Sequence, residues 1–133
     1  MVKNFTAGSQ LKPMKTTRLS PTDHRLIDQA LDYVNKHYMD KISADQLSIE
    51  VGLSKEKLQA GLQARKGQTL AKYIQQVRLE RAKELLANTN HPVKAIADAA
   101  GFVNESHFCK VFKKTHFISP VQYRYASMVY NIE

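Results

Sequence analysis

One cysteine, Cys109, is all the thiol chemistry available to this chain of 133 residues. A single thiol closes no intrachain disulfide, which excludes a small secreted scaffold held together by such bridges. Long apolar runs are missing as well. No stretch approaches the roughly 18 apolar residues of a membrane span, and the opening segment MVKNFTAGSQLKPMK lacks the apolar centre of a secretion signal. The expectation is a soluble cytoplasmic protein with no membrane partner. Strict alternation of apolar and polar residues is not sustained anywhere, so the strand signal is absent and an all-α fold is expected. Catalytic patterns are equally scarce. Of the five histidines His24, His37, His91, His107 and His116, no two stand at i, i+4 around a glutamate, as a zinc hydrolase would need. His107 and Cys109 are two apart, leave a helix on different sides and do not readily share a metal. With no glycine-rich phosphate loop and no legible Ser-His-Asp set, the chain is expected to be no enzyme and to hold no cofactor or metal.

What the chain does have is base in excess of acid, 20 Lys and Arg against 12 Asp and Glu, for a net charge of +8. An excess of that size in a small domain suits a polyanionic partner. Its distribution is uneven. Residues 1–20 hold Lys3, Lys12, Lys15 and Arg18 and no acid, and residues 67–133 hold nine bases against five acids. The middle is balanced only because six acids from Asp23 to Glu50 precede the basic stretch Lys55 to Lys66. Segregation of this kind can build a one-sided positive face.

Residues 1–19 are polar, basic and aperiodic, and read as a linker or disordered arm. Ser20-Pro21-Thr22-Asp23 is then a strong helix start: a capping serine, a proline suited to the first turn, and a carboxylate near the positive end of the helix dipole. Ile27, Ala30, Leu31, Val34 and Tyr38 follow at helical spacing. Further helices are expected over Ala44–Val51, ending at Gly52; from after Ser54 to Lys66, ending at Gly67; over Leu70–Ala87 behind Thr69; over Val93–Ala100, ending at Gly101; over Asn104–Thr115; and from Ser119-Pro120 to about Ser127. The long helix is assigned a core side of Leu70, Tyr73, Ile74, Val77, Leu85 and Leu86. About seven helices result.

Two stretches repeat each other, Leu47 to Gln63 and Ile96 to Lys113. Each opens with an apolar and a small residue (Leu47-Ser48, Ile96-Ala97), reaches a glycine four residues later (Gly52, Gly101), and continues with an apolar residue (Leu53, Phe102). A polar helix start follows, then two apolar anchors four apart: Leu58 and Leu62, Phe108 and Phe112. The second copy has one extra residue after its glycine. Two helices crossing steeply need a small side chain at the crossing, a glycine where the turn demands positive φ, and an apolar plug beyond it. The second helix then buries one face and leaves the other free. That is a helix-turn-helix, whose second helix enters a DNA major groove. One match occurs in many bundles; two, separated by one amphipathic helix, are far more specific.

These residues resemble the C-terminal DNA-binding region of AraC-type transcription regulators over about Leu26 to Ser127. The resemblance is carried by Ile96-Ala97, Gly101-Phe102, Ser106-His107-Phe108, Val111-Phe112-Lys113-Lys114, Ser119-Pro120 and Tyr123-Arg124, with Arg78-Leu79-Glu80-Arg81-Ala82 and Leu85-Leu86 on the linking helix. It implies a first subdomain over 20–67, a linking helix over 68–89 and a second subdomain over 90–133, with recognition helices about 34 Å apart in adjacent major grooves. The chain departs from the family pattern at Ser48, where alanine is usual, at Leu62, where an aromatic is usual, and at Phe117, where glycine is usual. The resemblance also implies the C-terminal part of a longer regulator, nucleoid-associated, which contacts RNA polymerase and is monomeric as this chain alone.

Base contacts are then expected from Glu56, Gln59 and Ala60 in the first unit and from Glu105, Ser106, Cys109 and Lys110 in the second. Gln59 can pair bidentately with adenine, Glu56 can accept from cytosine, Ala60 can touch only a thymine methyl, and Lys110 can address guanine acceptors. For Ala60-Gly61 the competing reading is close packing against another helix, and for Cys109 that of a spectator. His107 takes a core or capping position by the same resemblance. Phosphate contacts are expected from Lys55, Lys57, Lys66, Lys113, Lys114 and Arg124. Arg78 is expected to be structural, pairing with Glu84 or supporting the edge of the core. Two other readings stand beside this one: an architectural DNA binder without sequence preference, which needs no pair of shaped helices, and a helical protein-interaction module, which would expose an apolar groove.

Overall fold

The computed structural model of the protein describes residues 17–130. Most of the arm expected over residues 1–19 lies outside the described residues; of its last three, Leu19 packs on the first core. The described residues form seven helices and no strand: α1 (Pro21–His37), α2 (Ala44–Val51), α3 (Lys55–Lys66), α4 (Leu70–Asn88), α5 (Val93–Ala99), α6 (Glu105–His116) and α7 (Pro120–Tyr130). Helix starts fall where short polar side chains can take an orphan N–H. Ser20, Ser43, Ser54, Thr69 and Asn104 each accept from the backbone three residues on. At α1 the cap is reciprocal, since Asp23 Oδ2 accepts from the Ser20 N–H at 2.9 Å. That bond, with Lys57 Nζ 3.0 Å away, holds the Asp23 carboxyl below the usual carboxylate range.

The two repeats share the hydrogen bond that closes the turn. Leu53 N–H donates to the Ser48 carbonyl at 3.1 Å, and Phe102 N–H donates to the Ala97 carbonyl at 2.9 Å. Each turn contains a glycine at positive φ, Gly52 at 75° and Gly101 at 93°, where a β-carbon would be strained. Leu53 and Phe102 then plug the core. Ser48 does more than replace an alanine: its hydroxyl donates to the Leu53 carbonyl across the turn. The extra residue of the second unit is Val103, which stands 85 % exposed. Phe117, where the family pattern has glycine, ends α6 with a φ of 68°, the conformation that favours glycine.

Two separate cores flank α4. Ile27, Ala30, Val34, Leu47, Leu58, Leu62, Tyr73 and Ile74 belong to the first, and Leu79, Ala82, Leu86, Ile96, Phe108 and Phe112 to the second. At about 100° per residue, Tyr73, Ile74 and Val77 leave α4 on a face roughly opposite that of Leu79, Ala82 and Leu86. The single core stripe expected for this helix is therefore two stripes. Leu79 and Ala82, absent from the expected set, are fully in the second core, whereas Leu70, Val77 and Leu85 are only half-buried.

Gly61 sets how closely α3 approaches α1. A β-carbon there would overlap Ile27 Cδ1 and lie 2.6 Å from its Cγ1, so the close-packing reading of this position holds. Gly61→Ala is expected to lower the thermal midpoint. Overpacking costs about 1–3 kcal/mol, which outweighs the gain of about 1 kcal/mol in helix propensity. An unchanged or raised midpoint in a calorimetric melt would mean that α1 and α3 separate without penalty.

Candidate nucleic-acid interface

α3 and α6 are the second helices of the two units and are built alike. Leu58 and Leu62 anchor α3, Phe108 and Phe112 anchor α6, and all four are essentially inaccessible. The caps Ser54 and Asn104 align the two helices, so Glu56 matches Ser106, Gln59 matches Cys109 and Ala60 matches Lys110. Burying the anchor side turns Lys55, Glu56, Gln59 and Gln63 outward on α3, and Glu105, Ser106, Lys110, Lys113 and Lys114 outward on α6. Ala60 and Cys109 are half-buried at the margin of these faces. Burial, reinforced by the Glu105 charge, raises the pKa of the Cys109 thiol above its ordinary value, so it stays protonated near neutrality.

The electrostatics of the two faces differ. On α3, Lys55 Nζ lies 2.8 Å from Asp45 Oδ1, Lys57 Nζ lies 3.0 Å from Asp23 Oδ2, and Arg65 Nη1 lies 2.7 Å from Asp28 Oδ1. Lys66 is placed over the Tyr73 ring at 5.6 Å. The acids that precede this basic stretch in sequence thus fold back onto it. On α6, Lys110, Lys113 and Lys114 are exposed and make no ion pair among the described residues. Glu105 in its first turn and the lysines in its last turn also match the helix dipole. The unneutralised positive charge of the two recognition faces is concentrated on the second.

Three sequence expectations change. Arg124 is half-buried, and its guanidinium donates to the Leu86 carbonyl at 3.2 Å and to the His91 carbonyl at 2.7 Å. It therefore ties α7 to the end of α4, a structural role beside the phosphate contact expected for it. His107 is exposed; the cap of α6 is Asn104, whose Oδ1 accepts from the His107 N–H at 2.7 Å. Arg78 does not pair with Glu84, which is taken by Arg81 at 2.9 Å. Instead it donates to the carbonyls of Tyr38 at 2.6 Å and Asp40 at 2.9 Å. No sequence signal marks a carbonyl some forty residues away as a partner.

No helix among the described residues is long and apolar enough to cross a membrane. A helix-turn-helix domain family matches residues 47–126. A transcriptional regulator of Bacillus subtilis, the HTH-type protein YisR, is 33% identical over 100 residues, which are 75% of this chain and 35% of that protein. The xylose operon regulatory protein of Escherichia coli is 29% identical over 117 residues, covering 84% of this chain and 30% of that one. The chain thus spans about a third of the length of these two relatives. Among solved structures, the C-terminal domain of AraT, a response regulator of Geobacillus stearothermophilus, superposes with a TM-score of 0.71 at 28% identity, covering 83% of this chain and 88% of that one.

Proposed function

The chain belongs to the AraC-type helix-turn-helix family, and from that premise we propose that it is the DNA-reading part of a sequence-specific transcription regulator. The observation that carries this reading is the pairing of two similarly built helix-turn-helix units on opposite faces of one helix, each with a polar recognition face turned outward. Residues 20–67 and 90–133 form the reading units, with 68–89 as the helix between them. Gln59 and Glu56 read bases from the first unit, with Ala60 limited to a thymine methyl by its short, half-buried side chain. Glu105, Ser106, Cys109 and Lys110 read from the second, Lys110 toward guanine. Lys55, Lys57, Lys66, Lys113 and Lys114 position the protein on phosphates. A chain of this kind acts in the cytoplasm, contributes no catalysis, binds double-stranded promoter DNA as a monomer and presents an exposed helix to RNA polymerase.

Selection of binding sites from a random duplex library tests the reading. The expected result is a motif of two elements about one helical turn apart. Against that site, Lys110→Ala should weaken specific binding by about 1–3 kcal/mol and change binding to scrambled DNA much less. Gln59→Ala should relax base preference in one element only. Equal losses on specific and scrambled DNA would make Lys110 a phosphate contact. Binding without any motif would replace this reading by the architectural one, and no binding at low salt would remove DNA as the partner.

A further inference from the structure

The two apolar cores share no residue, so hydrophobic packing does not by itself fix the angle between the units. On one side of α4 a cleft of about 180 Å³ runs between Gln68, Lys72 and Glu80 of the linking segment and Thr115 and His116 of the second unit. A different arrangement holds at the step where α4 changes allegiance. Arg78 lies between Val77, which packs on the first core, and Leu79, which is buried in the second. Its guanidinium donates to the Tyr38 and Asp40 carbonyls at the end of α1, at 2.6 and 2.9 Å. A cation is well placed there, at the negative end of that helix dipole. The turn of the second unit closes on the same group. A β-carbon on Gly101 would fall 2.9 Å from the Tyr38 oxygen, 3.0 Å from Arg78 Nε and 3.1 Å from the Met39 Cα. Gly101 is thus required twice, by its φ of 93° and by the backbone pressed against it.

We infer that Arg78, clamped between the α1 carbonyls and the Gly101 turn, is a positioning residue that fixes the placement of α3 relative to α6 and so sets the spacing of DNA elements the protein accepts. The reason is mechanical. A continuous α4 resists bending, yet each unit can still rock on its own face of the helix. A bidentate, charge-assisted bond from the helix to one unit, at the point where the other unit's turn is in contact, removes that freedom. The consequence for DNA rests on the function proposed above; the geometric claim does not.

The first test therefore needs no DNA. Spin labels on Ala64→Cys in α3 and Thr115→Cys in α6, in a Cys109→Ser background, report the distance between the two helices in the free protein. One narrow distribution is expected, and Arg78→Ala should broaden or shift it with both units still helical. Should Arg78→Ala fail to fold, Arg78→Lys, which keeps the charge and stem but loses the fork, is measured in its place with the same expectation. An unchanged distribution in the folded variant overturns the inference. The second test measures binding to duplexes whose two elements are moved apart by single base pairs, each step displacing an element by about 3.4 Å and about 34°. The unaltered protein should lose at least about tenfold per step, the scale of one mismatched base pair. The variant should bind the optimal duplex more weakly and show a flatter spacing profile. A variant profile as steep as the original, with the same optimum, counts against the inference. If the unaltered protein selects no motif, the DNA reading falls while the distance measurement still decides the role of Arg78.

Discussion

Phe108→Ala is expected to unfold the second unit and to abolish sequence-specific binding. Phe108 is fully buried at the centre of that core, with ring centroids 4.9 Å from Phe102 and 5.7 Å from Phe112. Truncating a buried phenylalanine costs about 3–5 kcal/mol, a large share of the roughly 5–15 kcal/mol that holds a whole domain together. Here the loss falls on half a domain. The first core contains no residue of the second, so it does not border the cavity. The variant should therefore show, in amide exchange, a protected α1–α3 region beside an α5–α7 region that exchanges freely. A uniform loss of protection would show that the helices fold as one cooperative unit, with α4 transmitting the damage. Full protection in both would mean that the second core repacks around the missing ring.

The second large effect is electrostatic. Replacing Lys110, Lys113 and Lys114 together by alanine should reduce the magnitude of the salt slope of DNA binding by about 1.8, at about 0.9 for each of the two phosphates that Lys113 and Lys114 no longer neutralise. Between 50 and 200 mM salt that change amounts to about 12-fold in the drop of affinity on raising the salt. Replacing Lys55, Lys57 and Lys66 together should change the slope by less. Lys55 and Lys57 already face Asp45 and Asp23, so DNA binding releases fewer counterions from them. Equal slope changes for the two triplets would mean that these surface ion pairs open on binding at no cost, as weakly held exposed pairs can. An unchanged slope in the α6 triplet would place the phosphate contacts elsewhere on the protein.

Much of the fold was legible because its signals are local. Caps at Ser20, Ser43, Ser54, Thr69 and Asn104 start helices, and glycines at 52, 67 and 101 adopt positive φ at or beyond helix ends. Each such signal acts within four residues of chain and needs no tertiary partner. The repeat was legible for the same reason: glycine, plug and anchors recur at spacings that helix geometry sets. α4 was legible as a helix but not as a partition. A helix that serves two cores on opposite faces has no single stripe, and its apolar residues at 79 and 82 look like departures from the pattern that Tyr73, Ile74 and Val77 establish.

The sequence by itself determined the helices, the two turns and which faces of α3 and α6 stay outside, because hydrophobic spacing and capping are properties of contiguous residues. Only the tertiary structure decided where the charges go. Lys57 meets Asp23 and Arg65 meets Asp28 across α1 and α3, so a stretch that reads as strongly basic is largely balanced once folded. Arg124 and Arg78 each end on two backbone carbonyls. Every residue carries a carbonyl, so nothing in a sequence distinguishes the one that will accept. The burial of one helix face follows from residue type, whereas the partner of a long cation depends on which chain ends the fold brings within its reach.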